Sequence, residues 1–266
     1  VRNAASASPG VSDAEYIRSV EDRRAKALAS LRGPTSVLAA VARHELPVGS
    51  RLRFGPGDGV DVRLAGMPRD HEIRALADGF TVDGVPSQPR SIDAGRYTLR
   101  LSHQNYPAVV VLDAQSPRLK EEVTQRWYPV DPALRIRSQL QADSRRGSIA
   151  STASADRPAE RVGWIPFAIA GVPVRLAATH LLEPGYAEDH LDVFFRDGTT
   201  GQGSYEVGRY VTVERDGDDV IVDFNLAYNP SCALAPFYNC PIPPEENRLT
   251  VPIVAGEMTP LITSPH

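Results

Sequence analysis

The sequence predicts a mainly β protein with one N-terminal helix, and three observations carry that expectation. Apolar residues recur at helical spacing only near the start, across residues 12–32. From Val48 onward their period changes to two, in short runs separated by Gly, Pro and Asp. The last quarter, Asp223 to Glu257, is too rich in proline to be helical, because each proline removes a backbone donor and clashes with the preceding turn.

The elements follow in chain order. Ser12-Asp13-Ala14-Glu15 is a capping box and Gly33-Pro34 a stop. Between them Ile17, Val20, Leu28 and Leu31 mark the apolar face of an amphipathic helix whose EDRRAK face is solvated. Ser36 to Leu46 reads as a second short helix, ended by Pro47. RLRF, VDVRL, HEIRAL, FTVDG, YTLRLS and AVVVLDA are strand candidates at the spacing of a β-sandwich. Residues 142–160 are small and polar, the composition of a linker. Beyond them WIPFAIAGVPVRLAATHLL reads as a hairpin turning at Ala170-Gly171. LDVFFRD, YEVGRYVTVE and DVIVDFN read as a meander turning at Asp216-Gly217, and LTVPIVAGE as a final strand. The expected organisation is a tail and helices over 1–47, a sandwich over 48–141, a linker over 142–160 and an antiparallel β domain over 161–266.

Composition narrows the function classes. A chain of 266 residues with 42% hydrophobic content can bury a sizeable core. Its net charge of −4 gives no electrostatic reason to expect a nucleic-acid partner. No apolar run approaches the ~20 residues of a membrane-spanning helix. GxSxG, HExxH and P-loop patterns are absent, GPGDG at 55–59 is a turn between strands, and no cofactor is called for. Cys232 and Cys240 form no CxxC pair, which argues against zinc or thioredoxin-type chemistry. They either close a short disulfide loop, worth ~2.5 kcal/mol, or sit as two buried thiols in the cytoplasm. The proline-rich loop between them favours the disulfide, and with it a periplasmic or extracellular location.

Four charged residues, Asp197, Arg209, Asp223 and Glu257, stand at strand edges among Phe, Val, Tyr and Ile. Carboxylates so placed can have raised pKa values and act as acid or base. The stronger reading is an ion-pair network in which Arg209 satisfies Asp197 or Asp223 beneath the loop. Asn225, Asn229 and Asn247 suit loop scaffolding, with a polar ligand cradle lined by Tyr228, Phe237 and Tyr238 as the competing reading. His180, Glu183, Glu188, Asp189, His190 and Asp192 match no defined metal-ligand spacing and read as a solvated acidic hairpin.

The motifs also carry two resemblances. Phe195, Asp197, Thr199 and Gly201, then Tyr205, Gly208 and Arg209, then Asp223 to Ala233, Cys240 to Leu249 and Ala255 to Glu257 resemble the signature of the bacterial and archaeal family catalogued as domain of unknown function 1684. Trp127 to Pro132 matches that family's turn as well. The family implies relatives without implying a reaction. Residues 48–102 resemble a forkhead-associated domain through Gly55-Pro56, Pro68-Arg69-Asp70-His71, Val82-Asp83-Gly84 and Gly95 to Leu99. Pro56 and Pro68 occupy the places of that family's phosphate-contacting arginine and serine, so phosphothreonine binding is not expected, and His71 has a structural role.

The resulting expectation is a non-catalytic binding or accessory protein. It presents the loop over 225–247 to a protein partner, as in a subunit of a larger envelope complex. The alternative is a hydrolase of small molecules using Asp197, Asp223 and Arg209.

Overall fold

The structure, a computed structural model, describes residues 12–120, 123–153 and 156–262. The small, polar opening of the chain, residues 1–10, lies outside the described residues. The protein is mainly β, as the alternating pattern requires.

Helix α1 (Asp13–Ser30) starts at the capping box: Glu15 N–H donates to Ser12 Oγ at 3.3 Å and Ser12 N–H to the Glu15 carboxylate at 2.9 Å. Its buried residues are Tyr16 and Val20, whereas Leu28 is exposed. Arg24, on the face expected to be solvated, instead donates to the carbonyls of Tyr128 and Asn225, at 3.0 and 3.3 Å. The helix is thus docked by polar contacts at its tyrosine and arginine as much as by its apolar stripe.

Ser36 to Leu46 is not a helix. After a single tight turn at Val37–Ala39 the chain enters strand β1 (Ala40–Glu45), which pairs antiparallel with the strand over Ala108–Asp113. Buried pairing to a neighbouring strand overrides the local helical pattern. The sandwich therefore begins before Val48. It continues through β2 (Arg51–Gly55), β3 (Val62–Arg63), β4 (His71–Leu76), β5 (Gly79–Val82), β6 (Val85–Ser87), β7 (Ser91–Ala94), β8 (Tyr97–Ser102) and β9 (Ala108–Asp113). Two sheets, β1-β9-β8-β7 and β3-β2-β4-β5-β6, enclose one core of Phe54, Ile73, Phe80, Leu99, Leu101, Val109 and Val111. His71 is buried and its Nδ1 lies 2.9 Å from Asp83, which holds the left-handed turn between β5 and β6. The structural role expected of this histidine is what the geometry gives it.

The short strand β10 (Val123–Thr124) leads to the second sheet system. It comprises β11 (Arg135–Gln139), β12 (Gln141–Ile149), β13 (Arg157–Ile169), β14 (Val172–Leu181), β15 (Asp192–Phe195), β16 (Arg209–Asp216) and β17 (Asp219–Asp223), ordered β11-β17-β16-β15-β14-β13-β12. Strands β11 and β12 meet at Leu140, and Ser138 Oγ donates to Pro166 O, so the sheet curls back on itself. Ile136, Ile165, Phe167, Leu176, Val193, Phe195, Val211 and Val222, one face of six strands, meet in a single core. The curled seven-stranded sheet makes an open barrel whose edge strands are β11 and β12. Gly163 lets β12 approach closely: a Cβ there would lie 2.4 Å from Gln141 O.

Two expectations are corrected here. Much of the 142–160 segment is not a linker but strand β12 and the start of β13, paired from Gln141↔Trp164 to Ile149↔Arg157. Strand β12 is exposed along most of its length, so an edge strand has the composition of a linker. Residues 154–155 of that segment lie outside the described residues. Leu249 to Glu257 is not a strand either. Pro252 interrupts it, and its carbonyls are satisfied by a side chain, as described below. The final strand, β18 (Leu261–Ile262), pairs with β10.

Candidate functional site

The signature residues divide between a closed interior and a cleft. Arg209 is completely buried, and its Nη2 donates to Asp197 Oδ2 at 2.7 Å, with neither side chain exposed. The same guanidinium donates to the carbonyls of Ile253 at 2.9 Å, Glu257 at 3.2 Å and Ala255. It packs over the rings of Phe195 and Tyr128. Asp197 Oδ1 accepts from Thr199 N–H at 2.7 Å and Ile253 N–H at 3.2 Å. Arg209 thus takes the place of a partner strand for residues 253–257. Gly208 just before it has φ of 119°, and a Cβ there would lie 2.6 Å from Phe195 O.

Asp223 stands apart from that pair. Its carboxylate accepts from Tyr16 Oη at 2.8 Å and from Asn225 N–H at 3.1 Å, and Arg135 approaches only to 3.8 Å. Burial raises its pKa against the lowering effect of these donors. Asp197, Arg209 and Asp223 therefore do not converge on one open pocket.

The three asparagines are scaffold. Asn225 Nδ2 donates to Asp131 O at 2.8 Å and to Tyr16 Oη at 3.0 Å. Asn229 Nδ2 donates to Met258 O at 2.8 Å. Asn247 is fully buried; its amide accepts from Ala177 N–H at 2.7 Å and donates to the carbonyls of Ala177 at 3.1 Å and Phe194 at 2.8 Å. It fills the gap where β14 and β15 share only the pair Thr179↔Asp192.

The loop over 225–247 lies between the two bodies, which corrects the expectation of a displayed loop. One side packs on the outer face of the barrel, where Phe194, Tyr210 and Leu181 meet Cys240, Cys232 and Tyr238. Its other side, Ala235, Phe237 and Tyr238, packs on Ala39, Ala40, Val110 and Leu112 of the sandwich. Tyr238 belongs to both contacts. The physical reason is that alternate residues of β15 and β16 are apolar on both faces, so the outward face also needs cover.

Beside the loop a cleft of about 210 Å³ remains, lined by Arg157, Tyr186, Asp192, Tyr210, Tyr228 and Tyr238 among others. Tyr228 stands at its mouth, 38% exposed, with Tyr210 edge-on at 5.7 Å between centroids. Asp192 is buried and accepts from Thr212 Oγ1 at 3.1 Å and from the Tyr186 hydroxyl, with His190 Nε2 at 3.2 Å. Burial, then the charge of Asp192, pushes the Tyr186 and Tyr228 hydroxyls well above the usual phenol range, so both remain protonated donors. Arg157 is neutralised by two bonds to Glu183, at 2.7 and 2.8 Å, and also donates to Asn239 O at 3.1 Å.

A second cleft, about 190 Å³, lies between α1 and the barrel and is lined by Arg24, Trp127, Tyr228 and Glu257. Asn229 N–H donates to Glu257 Oε2 at 2.7 Å, and burial pushes this carboxyl up to about 7. Tyr228 is shared by both clefts.

The signature pattern observed across these elements has a counterpart in known sequences. The family described as protein of unknown function (DUF1684) matches residues 124–258. This chain belongs to that family. The matched span takes in the barrel, the buried Arg209–Asp197 pair and the loop, and leaves out the sandwich. The solution NMR structure of an uncharacterised protein of Haloarcula marismortui is similar at 33% identity, over 51% of this chain and 76% of that chain, with a TM-score of 0.42. No curated protein matches.

Sequence reasoning missed Arg157, Tyr186, Tyr210 and Thr212, and its reading of Asp192 as part of a solvated acidic hairpin is corrected by the burial of that carboxylate. Arg157 was hidden in linker-like composition, and Asp192 in an acidic run most of which is a surface turn. Their signal was Tyr186 and Asp192 flanking that turn next to the apolar run Val193-Phe194-Phe195. Among the described residues no three His, Cys, Asp or Glu side chains gather as metal ligands. No helix among them is long and apolar enough to cross a membrane.

Proposed function

We propose that this protein is a non-catalytic binding protein that takes a small ligand in the cleft beneath Tyr228. One observation carries the reading: the cleft gathers four tyrosines, Tyr186, Tyr210, Tyr228 and Tyr238, around the buried Asp192. Apolar ring faces with a few fixed polar atoms are what ligand sites are made of. Tyr210 stands on β16, Tyr238 in the packed loop, and the Tyr186 hydroxyl is bonded to the buried Asp192, so the site is formed before any ligand arrives. The same geometry weighs against the hydrolase reading, because Asp197 and Arg209 face each other in a closed core. It also weighs against a protein partner gripping Phe237 and Tyr238, whose rings serve the internal contact between sandwich and barrel.

The test is a saturation-transfer NMR screen of the intact protein against a library of small polar and aromatic compounds. Binders are expected, and Tyr228→Ala should abolish their signal while Arg146→Ala, in the exposed strand β12, leaves it unchanged. Binders insensitive to Tyr228→Ala, or the absence of any binder, would overturn the reading.

A further inference from the structure

The geometry points to Cys232 and Cys240 as a thiol–disulfide exchange site, with Cys232 the attacking thiol and Cys240 the resolving one, acting on a low-molecular-weight disulfide. The cleft that Cys232 lines shares Tyr238 and Asn239 with the ligand cleft proposed above, which Cys240 also borders, but exchange at the two thiols does not depend on that proposal.

Both cysteines are free thiols, and they are in contact: Cys232 N–H donates to Cys240 Sγ at 3.4 Å and the two side chains are hydrogen-bonded to each other. Their surroundings differ in a way that assigns the roles. Cys232 is half-buried and lines a cleft of about 350 Å³ with Arg43, Glu45, Tyr205, Tyr238 and Asn239. Cys240 is 5% exposed, and its backbone N–H is held by Thr152 Oγ1 at 2.9 Å. A disulfide reagent in the cleft reaches Cys232 first.

The electrostatics agree with the geometry. The hydrogen bond from Cys240 lowers the pKa of Cys232, with the hydroxyls of Tyr205 and Thr152 as further donors. That same bond, and then burial, holds the Cys240 thiol well above its usual range. Arg43 brings a cation to the cleft, and its Nε is buried without a partner. A thiolate with donors and a cation beside it is the arrangement that favours exchange.

The steps balance. The Cys232 thiolate attacks one sulfur of the small disulfide, that S–S bond breaks, and one thiolate leaves. That small thiolate takes up the Cys240 proton, and the Cys240 thiolate attacks Cys232 Sγ, so the mixed S–S bond breaks and the second small thiolate leaves to be protonated from solvent. Two protein thiols are oxidised and one disulfide is reduced to two thiols. The disulfide expected from the sequence is the oxidised half of this couple, and the free pair is the reduced half.

Glutathione disulfide serves as the probe. The reduced full chain is incubated with it, quenched in acid and weighed intact, with adducts placed by peptide mapping. The wild type should end two hydrogens lighter with no lasting adduct. Cys240→Ser should accumulate one glutathione on Cys232, and Cys232→Ser should react at Cys240 roughly tenfold more slowly or less. Brief alkylation of native wild type gives a readout free of mutation, with Cys232 expected to be labelled before Cys240. A wild type that keeps both thiols or a stable adduct, or a Cys240 that labels as fast as Cys232, would overturn the assignment.

Discussion

Arg209 and Asp197 form an ion pair from which water is wholly excluded, at 2.7 Å with neither side chain exposed. The guanidinium also binds three carbonyls of residues 253–257, so it ties the irregular C-terminal segment to the barrel. Removing one partner of such a pair strands the other charge, which costs more than the pair itself contributes.

Arg209→Met is therefore expected to lower stability by ~3 kcal/mol or more. Chemical denaturation followed by circular dichroism measures it. A change near zero would mean that the C-terminal segment is held by other contacts.

Tyr16 links α1 to Asp223 and Asn225 through a single hydroxyl, at 2.8 and 3.0 Å. Tyr16→Phe leaves the buried Asp223 short of a donor and should cost about 1–3 kcal/mol. Hydrogen exchange should show the amides of α1 losing protection while those of β13 and β14 keep theirs. Equal loss across all these elements would show that the helix is not a separately docked piece.

Glu257 gives a pH dependence with a definite sign. Its folded pKa, about 7, lies above its ordinary value of 4.5, chiefly because of burial. Between those values the folded state binds more protons than the unfolded state, so stability falls as pH rises through that window. Glu257→Gln removes this slope. The difference in stability between wild type and variant should change by roughly 3 kcal/mol from about pH 4 to about pH 8. Parallel stability curves would contradict the raised value.

The sandwich should not bind phosphothreonine peptides, because Pro56 and Pro68 supply neither charge nor donor where a phosphate would sit. Isothermal titration with such peptides is expected to give no heat. Micromolar binding lost on dephosphorylation would show that other residues of the sandwich recognise the phosphate.

What the sequence made legible were features with a short range or a strong pattern. The capping box, the alternation of β4 and β8 and the turn at Ala170-Gly171 stand where local chemistry puts them, and the turn expected around Asp216-Gly217 falls one residue on, at Gly217-Asp218. The burial and pairing of Arg209 were legible too, because an arginine between apolar strands needs a carboxylate. Illegible were features decided by distant partners. Residues 40–45 became a strand because β9 lay beside them, and 141–149 because β13 did. Asn247 completes a gap between β14 and β15 seventy residues away in the chain, which no spacing rule encodes. The cleft around Asp192 was hidden for the same reason, since its walls come from five separated segments.

The signature loop is an internal wedge between sandwich and barrel, and the proposed recognition site is the cleft it leaves. The most direct measurement is the melting temperature of the double variant Phe237→Ala/Tyr238→Ala by differential scanning calorimetry. Both rings leave the contact with Ala39, Ala40, Val110 and Leu112, so a drop of ~8 °C or more is expected. A melting temperature within about 1 °C of the wild type would contradict it and return the loop to the surface.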